Sequence, residues 1–388
     1  MKIIKIVEKT VPFGSNIANS YINFASMTGS VVAIETDVLR DGKPVIGYGF
    51  NSIGRYAPTS ILRDRMIPKL MNAPLVSILN DEGDNLDPFK IYKLLKSNEK
   101  PGGHGDRAHA VGAIDMAVWD IVSKIEGLPL YRLLADRYNG GAYDEKIYTY
   151  GAGGYYYDGD SDARLRDELK GYLDMGFRDV KMKIAGADLK TDMHRIEVAL
   201  GVLDNDGSRL MVDANGRHGL ESALAYAHAM KDYRLRWYEE PVDPLNYADL
   251  AAITEYYPGA LATAENLFSF EDIRNLIRHG GMRSDRDYIQ MDCPLSYGLV
   301  EYMGVLDYLK DMGWSRRRCI PHGGHQFCAN IAAGLGLGGN ECYPGVFQPF
   351  GGFADNIPVE NGYVALPDVP GIGFEQKANL WKTIKDII

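Results

Sequence analysis

Three carboxylates at equal spacing constrain this chain more than any other feature. Asp213, Glu239 and Glu265 lie 26 residues apart twice over. Each closes a short run that reads as a buried strand: Arg209-Leu-Met-Val-Asp213, Leu235-Arg-Trp-Tyr-Glu239 and Ala260-Leu-Ala-Thr-Ala-Glu265. The stretches between them have helical periodicity, so about 26 residues make one strand–helix unit. An acid at the same place in three successive units puts three acids around the mouth of one parallel barrel, the end at which (β/α)₈ proteins build their sites. Three hard oxygen ligands converging on one point favour Mg²⁺ or a similar cation.

The rest of the chain supports that frame. From Lys146 onward candidate strands fall near 146–150, 179–184, 209–213, 235–239, 260–265, 288–292, 318–322 and around Glu341. Helical patterns at 161–175, 220–233 and 297–312 fill the gaps between them, as crossover connections of a closed barrel require. The first ~130 residues have another rhythm. Strand-like runs at 3–11, 30–38 and 43–51 precede helical patterns that begin near Thr59 and near Asp87, which describes an α+β unit. The clearest helix spans 109–126, with Val111, Ile114, Val118, Ile121, Val122 and Ile125 at steps of three and four, and Gly127 and Pro129 stop it. The expected fold is therefore a modified (β/α)₈, TIM-like barrel with an N-terminal α+β capping unit. Its expected division is 1–135 for the cap, 136–356 for the barrel and 357–388 for a turn-rich tail that packs back on the cap.

Bulk properties exclude several classes. A net charge of −10 argues against nucleic acid as a partner, because backbone binding needs a basic surface. No apolar run approaches the roughly 20 residues of a membrane span. The opening Met1-Lys-Ile-Ile-Lys-Ile-Val reads as a charged strand, not a signal peptide. Four cysteines in 388 residues are too few for a disulfide framework and fit a reducing cytoplasm.

Strand parity selects among the polar residues. Asp213 and Asn215 share a face, and Glu239 is in phase with Trp237 while Glu240 is flipped, so Glu239 is the expected ligand. In Asp179-Val-Lys-Met-Lys-Ile184, Lys181 and Lys183 point into the barrel mouth one unit before Asp213. Cationic neighbours favour a neutral amine, so the Lys183 pKa is expected to fall and the amine to accept a proton near neutral pH. Across the mouth, Ile320-Pro-His322 ends the seventh strand and Gln290-Met-Asp292 the sixth, which makes His322 and Asp292 a candidate dyad. Cys319, His322, His325 and Cys328 run at steps of three, but they cross a strand end, a Gly-Gly turn and a helix start, so no single periodicity converges them on zinc. Gly334-Leu-Gly-Leu-Gly-Gly339 lacks the Lys-Ser/Thr of a phosphate loop and reads as helix packing or a helix end.

Lys181-Met-Lys183, Asp213-Ala-Asn215, Glu239-Glu-Pro, Glu265-Asn, Asp292 and His322 together resemble the mandelate racemase branch of the enolase superfamily. Ala113-Ile-Asp-Met-Ala-Val-Trp-Asp120 with Gly127-Leu-Pro-Leu-Tyr131 looks like that branch's entry to the barrel, and Pro370-Gly-Ile-Gly373 like its C-terminal return. Within the branch, Trp237-Tyr-Glu-Glu-Pro-Val-Asp-Pro-Leu245, Ala264-Glu-Asn-Leu-Phe-Ser269 and Pro321-His-Gly-Gly-His-Gln326 are most similar to the D-tartrate dehydratases. The resemblance implies Mg²⁺ held by Asp213, Glu239 and Glu265, and α-proton removal by Lys183 to an ene-diolate. It further implies protonation of the departing hydroxyl by His322, oriented by Asp292, and a 2-keto acid product. Lys181, Asn215 and Glu341 are expected near the substrate or the metal. Selectivity is expected from loops 16–24 and 51–59, with Tyr21, Arg55 and Lys100 as candidate contacts to a far carboxylate. The implied partner is a small acid sugar, the implied assembly a homo-oligomer. A racemase or epimerase would use the same lysine and histidine, whereas a glycoside hydrolase on this barrel would need two carboxylates and no divalent ion.

Overall fold

The computed structural model describes residues 1–13, 15–157 and 161–388. Its N-terminal part is an antiparallel sheet of β1 (Ile3–Pro12), β2 (Thr28–Arg40) and β3 (Lys43–Phe50), in that order. The central strand β2 is covered on both faces, and Val31, Val32, Ala33 and Ile34 are all fully buried. One cover is the helix Asp106–Glu126, which lies against β3 through two glycines. A Cβ at Gly47 would stand 2.2 Å from the Ala117 carbonyl, and one at Gly49 would stand 2.1 Å from that of Ala113. The helix ends at Gly127, whose φ of 70° closes the last turn onto the Ser123 and Lys124 carbonyls.

That helix is buried on every side from Ala108 to Ser123, more than a single apolar stripe predicts. Two buried aspartates pay for the central position by pinning its neighbours. Asp115 accepts from the Leu299 amide at 2.6 Å, at the start of the barrel helix Leu299–Asp311. Asp120 accepts from the amides of Tyr48 and Ile372 and from Lys124, which joins β3 and the C-terminal tail to the same helix.

The second part is a parallel sheet of β4 (Lys146–Gly153), β5 (Val180–Lys183), β6 (Leu210–Asp213), β7 (Trp237–Glu239), β8 (Leu261–Thr263), β9 (Tyr288–Ile289) and β10 (Asn340–Cys342). Its order, β10-β4-β5-β6-β7-β8-β9, curls round so that the last strand pairs with the first. The expected seventh strand at 318–322 is not a regular ladder. A single bridge, Ile289 to Cys319, and the bonds Ile320 N–H to Ile289 O and His322 N–H to Gln290 O hold it beside β9. Pro321 has no amide to give and Gly323 turns away at φ 113°, so pairing stops there. On its other side the Cys319 carbonyl accepts from Gly338, which leads into β10 and closes the ring.

The tail touches both parts. β11 (Tyr363–Ala365) adds antiparallel to β4, while Glu375 pairs with Lys124 at 2.7 Å and Trp381 packs edge-on to Tyr48. The glycine-rich run is a helix end: Gly336, at φ 65°, caps Gln326–Leu335, and a Cβ at Gly334 would meet the Tyr131 carbonyl at 2.5 Å. Among the described residues no helix is long and apolar enough to cross a membrane, and all four cysteines are buried free thiols.

Candidate active site

Ladder register brings the first residues together. Lys183 pairs with Asp213 across β5–β6, and Asp213 with Glu239 across β6–β7, so all three stand at one level. Glu265 follows β8 just past Ala264, whose φ of 97° turns the chain. Ligand oxygens of Asp213, Glu239 and Glu265 lie within 4.8 Å of one another. Glu239 accepts from Trp237 Nε1 at 2.8 Å and from Gln290 at 3.0 Å. Glu240 has a φ of 38° and binds the Asn266 amide at 2.8 and 2.9 Å instead. Parity thus separates the two acids as the strand pattern predicts.

So many carboxylates in one buried place repel. Burial pushes Glu239 up to about 8, Lys181 opposes this, and Asp213, Glu265 and Glu341 add to the rise. Burial also raises Glu240, with Glu265 and Asp213 next. Asn215 adds a buried Oδ1 with no hydrogen-bond partner among the described residues, beside the cluster, while its amides donate to Asp213. An all-oxygen set with excess negative charge fits a hard divalent cation such as Mg²⁺.

Lys181 is only 1 % exposed and bridges Glu239 Oε1 and Glu341 Oε1, each at 2.6 Å. It is a buried counter-ion bonded to the metal-ligand candidate Glu239, as its expected place near the metal requires, and it does not line the cavity. Glu341 is likewise occupied: besides Lys181 it accepts from the Tyr343 hydroxyl at 2.7 Å. Lys183 does reach the cavity, where its ammonium donates to Asp213 and lies over the Tyr155 ring. The expected lowering of its pKa is not found. Burial lowers it and so does Lys181, but Asp213, Tyr155 and Glu265 together outweigh both and hold the ammonium above its ordinary value.

On the opposite side His322 Nδ1 stands 2.8 Å from Asp292 Oδ2. Its Nε2 lies 3.0 Å from the Tyr343 hydroxyl and 3.7 Å from Glu265. Burial lowers its pKa, but Glu265 and the hydrogen bond to Asp292 reverse this and push it up to about 9. Its carboxylate neighbours thus favour the imidazolium.

Lys183, His322, Glu265, Asn215 and Arg55 line one small cavity of about 50 Å³. Both expected loops roof it, through Asn19, Ile22 and Phe24 and through Ile53, Gly54 and Arg55. Arg55 bonds Asn266 and stacks over Phe268 at 5.2 Å. Among the described residues it pairs with no carboxylate. Two candidates fall elsewhere. Tyr21 is 57 % exposed, donates to the Gly216 carbonyl and packs under Arg217, on the rim and not in the cavity. Lys100 lines a separate cavity of about 540 Å³ with His104 and Glu301, because Arg107 grips the Lys100 and Gly102 carbonyls and holds that loop over the helix start. Tyr343, Tyr155 and Asn266 line the site without having been expected. Asn266 directly follows an acid, and Tyr343 sits two residues after Glu341 and on its face, the one signal that parity offered.

Comparison with known proteins adds context. Residues 164–380 match the family described as enolase C-terminal domain-like. An arabinonate dehydratase of Saccharolobus solfataricus is 27% identical over 324 residues, covering 80% of this chain and 81% of that protein. An L-talarate/galactarate dehydratase of Salmonella typhimurium is 26% identical over 352 residues, covering 88% and 80%. Among solved structures, a racemase from Streptomyces coelicolor A3(2) with bound magnesium superimposes with a TM-score of 0.76 at 23% identity, over 98% of this chain and 99% of that one. An L-talarate dehydratase from Polaromonas sp. JS666 complexed with Mg and L-glucarate gives 0.75 at 22%, over 96% and 94%. At these identities the structural likeness bears on the fold alone.

Proposed function

The chain belongs to the enolase C-terminal domain-like family, and on that premise we propose that it is an Mg²⁺-dependent acid-sugar dehydratase acting on a 2,3-dihydroxy diacid, D-tartrate, to give oxaloacetate and water. The observation that carries this is the facing pair: Lys183 on one side of a small cavity, the His322–Asp292 dyad on the other, and three acids between them. The dehydratase names of the two relatives support the reaction class.

Asp213, Glu239 and Glu265 would hold the ion, which when bound supplies Lewis-acid stabilisation of charge developing on the substrate carboxylate, worth several kcal/mol. With Asp213 engaged as a metal ligand its hold on the Lys183 ammonium would weaken, and Lys183 as the free amine would take the proton α to that carboxylate. His322 as imidazolium gives its Nε2 proton to the departing β-hydroxyl, so water leaves and the enol formed tautomerises to the keto acid. A positioned acid or base contributes about 10²–10⁴-fold each. Asp292 keeps the Nδ1 proton and the imidazole aim. Arg55, with no carboxylate partner among the described residues, is the cation for the far carboxylate, and the small cavity favours four carbons over six. We extend the proposal to a cap at 1–135, a barrel at 136–356 and a tail at 357–388, in a cytoplasmic homo-oligomer.

Incubation of the protein with a panel of mono- and diacid sugars tests the assignment. Keto acid should form from D-tartrate with Mg²⁺, stop with chelator and resume on adding Mg²⁺. Inversion of a stereocentre without keto acid would favour a racemase, which the same facing pair of groups can serve. Turnover that survives chelation would remove the metal from the proposal.

A further inference from the structure

The dyad carboxylate has a second partner, and it comes from outside the barrel. Ser52, on the loop after β3, places its hydroxyl 2.6 Å from Asp292 Oδ2, the same oxygen that His322 Nδ1 meets at 2.8 Å. On its other side Ser52 Oγ lies 3.1 Å from His325 Nε2. Asp292 Oδ1 accepts from the Leu295 amide at 3.0 Å. Ser52, Asp292 and His325 are all fully buried. Gly323 leaves the space in which they meet: a Cβ there would stand 2.7 Å from Ser52 Oγ, 2.9 Å from His325 Nε2 and 3.0 Å from Asp292 Oδ2.

The direction of each bond follows from its neighbour. His325 is the N-cap of the helix Gln326–Leu335, and its Nδ1 accepts from the Cys328 amide at 3.5 Å. Burial holds the ring neutral, with its pKa down at about 4. A neutral imidazole that accepts at Nδ1 carries its proton on Nε2. That proton points at Ser52 Oγ, with Cys328 Sγ at 3.8 Å as a weaker neighbour. Ser52 has one proton, and Asp292 can only accept it. His322 Nδ1–H then donates to the same Asp292 oxygen, and His322 Nε2 is left aimed at Tyr343 and the cavity. The chain therefore runs in one sense, from a helix-terminal amide to the dyad.

The loop that brings Ser52 is itself braced. Asn51 accepts from the Ser30 amide at 2.6 Å and donates to the carbonyls of Arg55 and Tyr56. One loop thus delivers Arg55 to the cavity and Ser52 to the dyad.

We propose that Ser52 and His325 are positioning residues: together they fix the aim of the His322 imidazolium through Asp292, and they make the acid of the barrel depend on a loop of the N-terminal part. The inference rests on the role of His322 as the group that protonates the leaving hydroxyl.

The test uses the full-length Mg²⁺-loaded protein, with Ser52→Ala and His325→Asn. Asparagine keeps an oxygen for the helix cap but cannot reach Ser52. Each variant should lower kcat for D-tartrate by about 10–100-fold, the loss that orienting partners of a site typically cause. KM and Mg²⁺ affinity should stay unchanged, and the ¹⁵N signals of the His322 ring should move. A raised KM with unchanged kcat and unmoved ring signals would mean that Ser52 only seats the loop, and would overturn the proposal. The ring signals need no turnover. If the wild type dehydrates no acid sugar yet the signals move, positioning stands and the assigned reaction fails; if they do not move, positioning fails whatever the activity. His325→Asn supplies the same readout should Ser52→Ala not fold.

Discussion

The two walls of the cavity are held by different kinds of bond. On the Lys183 side, regular parallel ladders set the level of each residue, and Lys183, Asp213 and Glu239 are neighbours because β5, β6 and β7 are in register. On the His322 side the backbone contributes one bridge and two hydrogen bonds, to Ile289 and Gln290, and side chains do the rest: Asp292 and Tyr343 meet the ring, and Ser52 meets Asp292. A ladder positions a residue by counting. A side-chain network positions it by contacts drawn from three distant parts of the chain. The first wall is rigid by construction, the second depends on the N-terminal loop staying in place.

Substitutions can break this contrast at its extremes. Lys183→Ala and His322→Asn should each cost about 10²–10⁴-fold or more in kcat with the fold intact, read by keto-acid formation beside circular dichroism. Normal rates in either variant would remove its assigned role. A smaller effect separates the two adjoining acids at the end of β7. Glu239→Gln should raise the Kd for Mg²⁺ by at least about 100-fold and Glu240→Gln by no more than about tenfold, measured by calorimetry. The reverse order would contradict the register on which the first wall depends. Arg55→Ala should raise KM for a diacid by roughly 30-fold, about 2 kcal/mol for a lost bond to a charged group, and leave KM for a monoacid unchanged. Equal effects on both would take Arg55 away from the far carboxylate.

The second wall also has a pH signature. The His322 pKa is raised in the folded protein, to about 9, because Glu265 and Asp292 outweigh burial. Its charged form therefore adds stability that is fully present below the ordinary histidine pKa of about 6.5 and is lost as pH rises through about 9. Without added divalent ions, Tm should fall across that window in the wild type and less so in His322→Asn. Parallel curves would mean that the ring is not held as a cation.

What could be read from sequence follows the same division. The acids and Lys183 were legible because each ends a buried run, so a period of two and a repeat of 26 residues locate them. Depth was not. Lys181 shares the face of Lys183 but lies two residues earlier, about 6–7 Å further down the barrel, and meets Glu239 and Glu341 below the cavity. His322 and Asp292 were visible as strand ends, although Pro321 keeps the seventh segment from forming a ladder. Ser52 and Asn266 carry no periodic mark, since loops and turns bring them in. Lys100 illustrates the same limit: its loop is placed by Arg107, a contact that no pattern announces.

Exchange of the α-proton of D-tartrate with solvent deuterium, in the presence of Mg²⁺, tests most directly that the two walls divide the chemistry. His322→Asn should still exchange that proton while forming no oxaloacetate, because Lys183 acts alone in the first step. Lys183→Ala should do neither. Exchange that persists without Lys183, or vanishes without His322, would contradict the division.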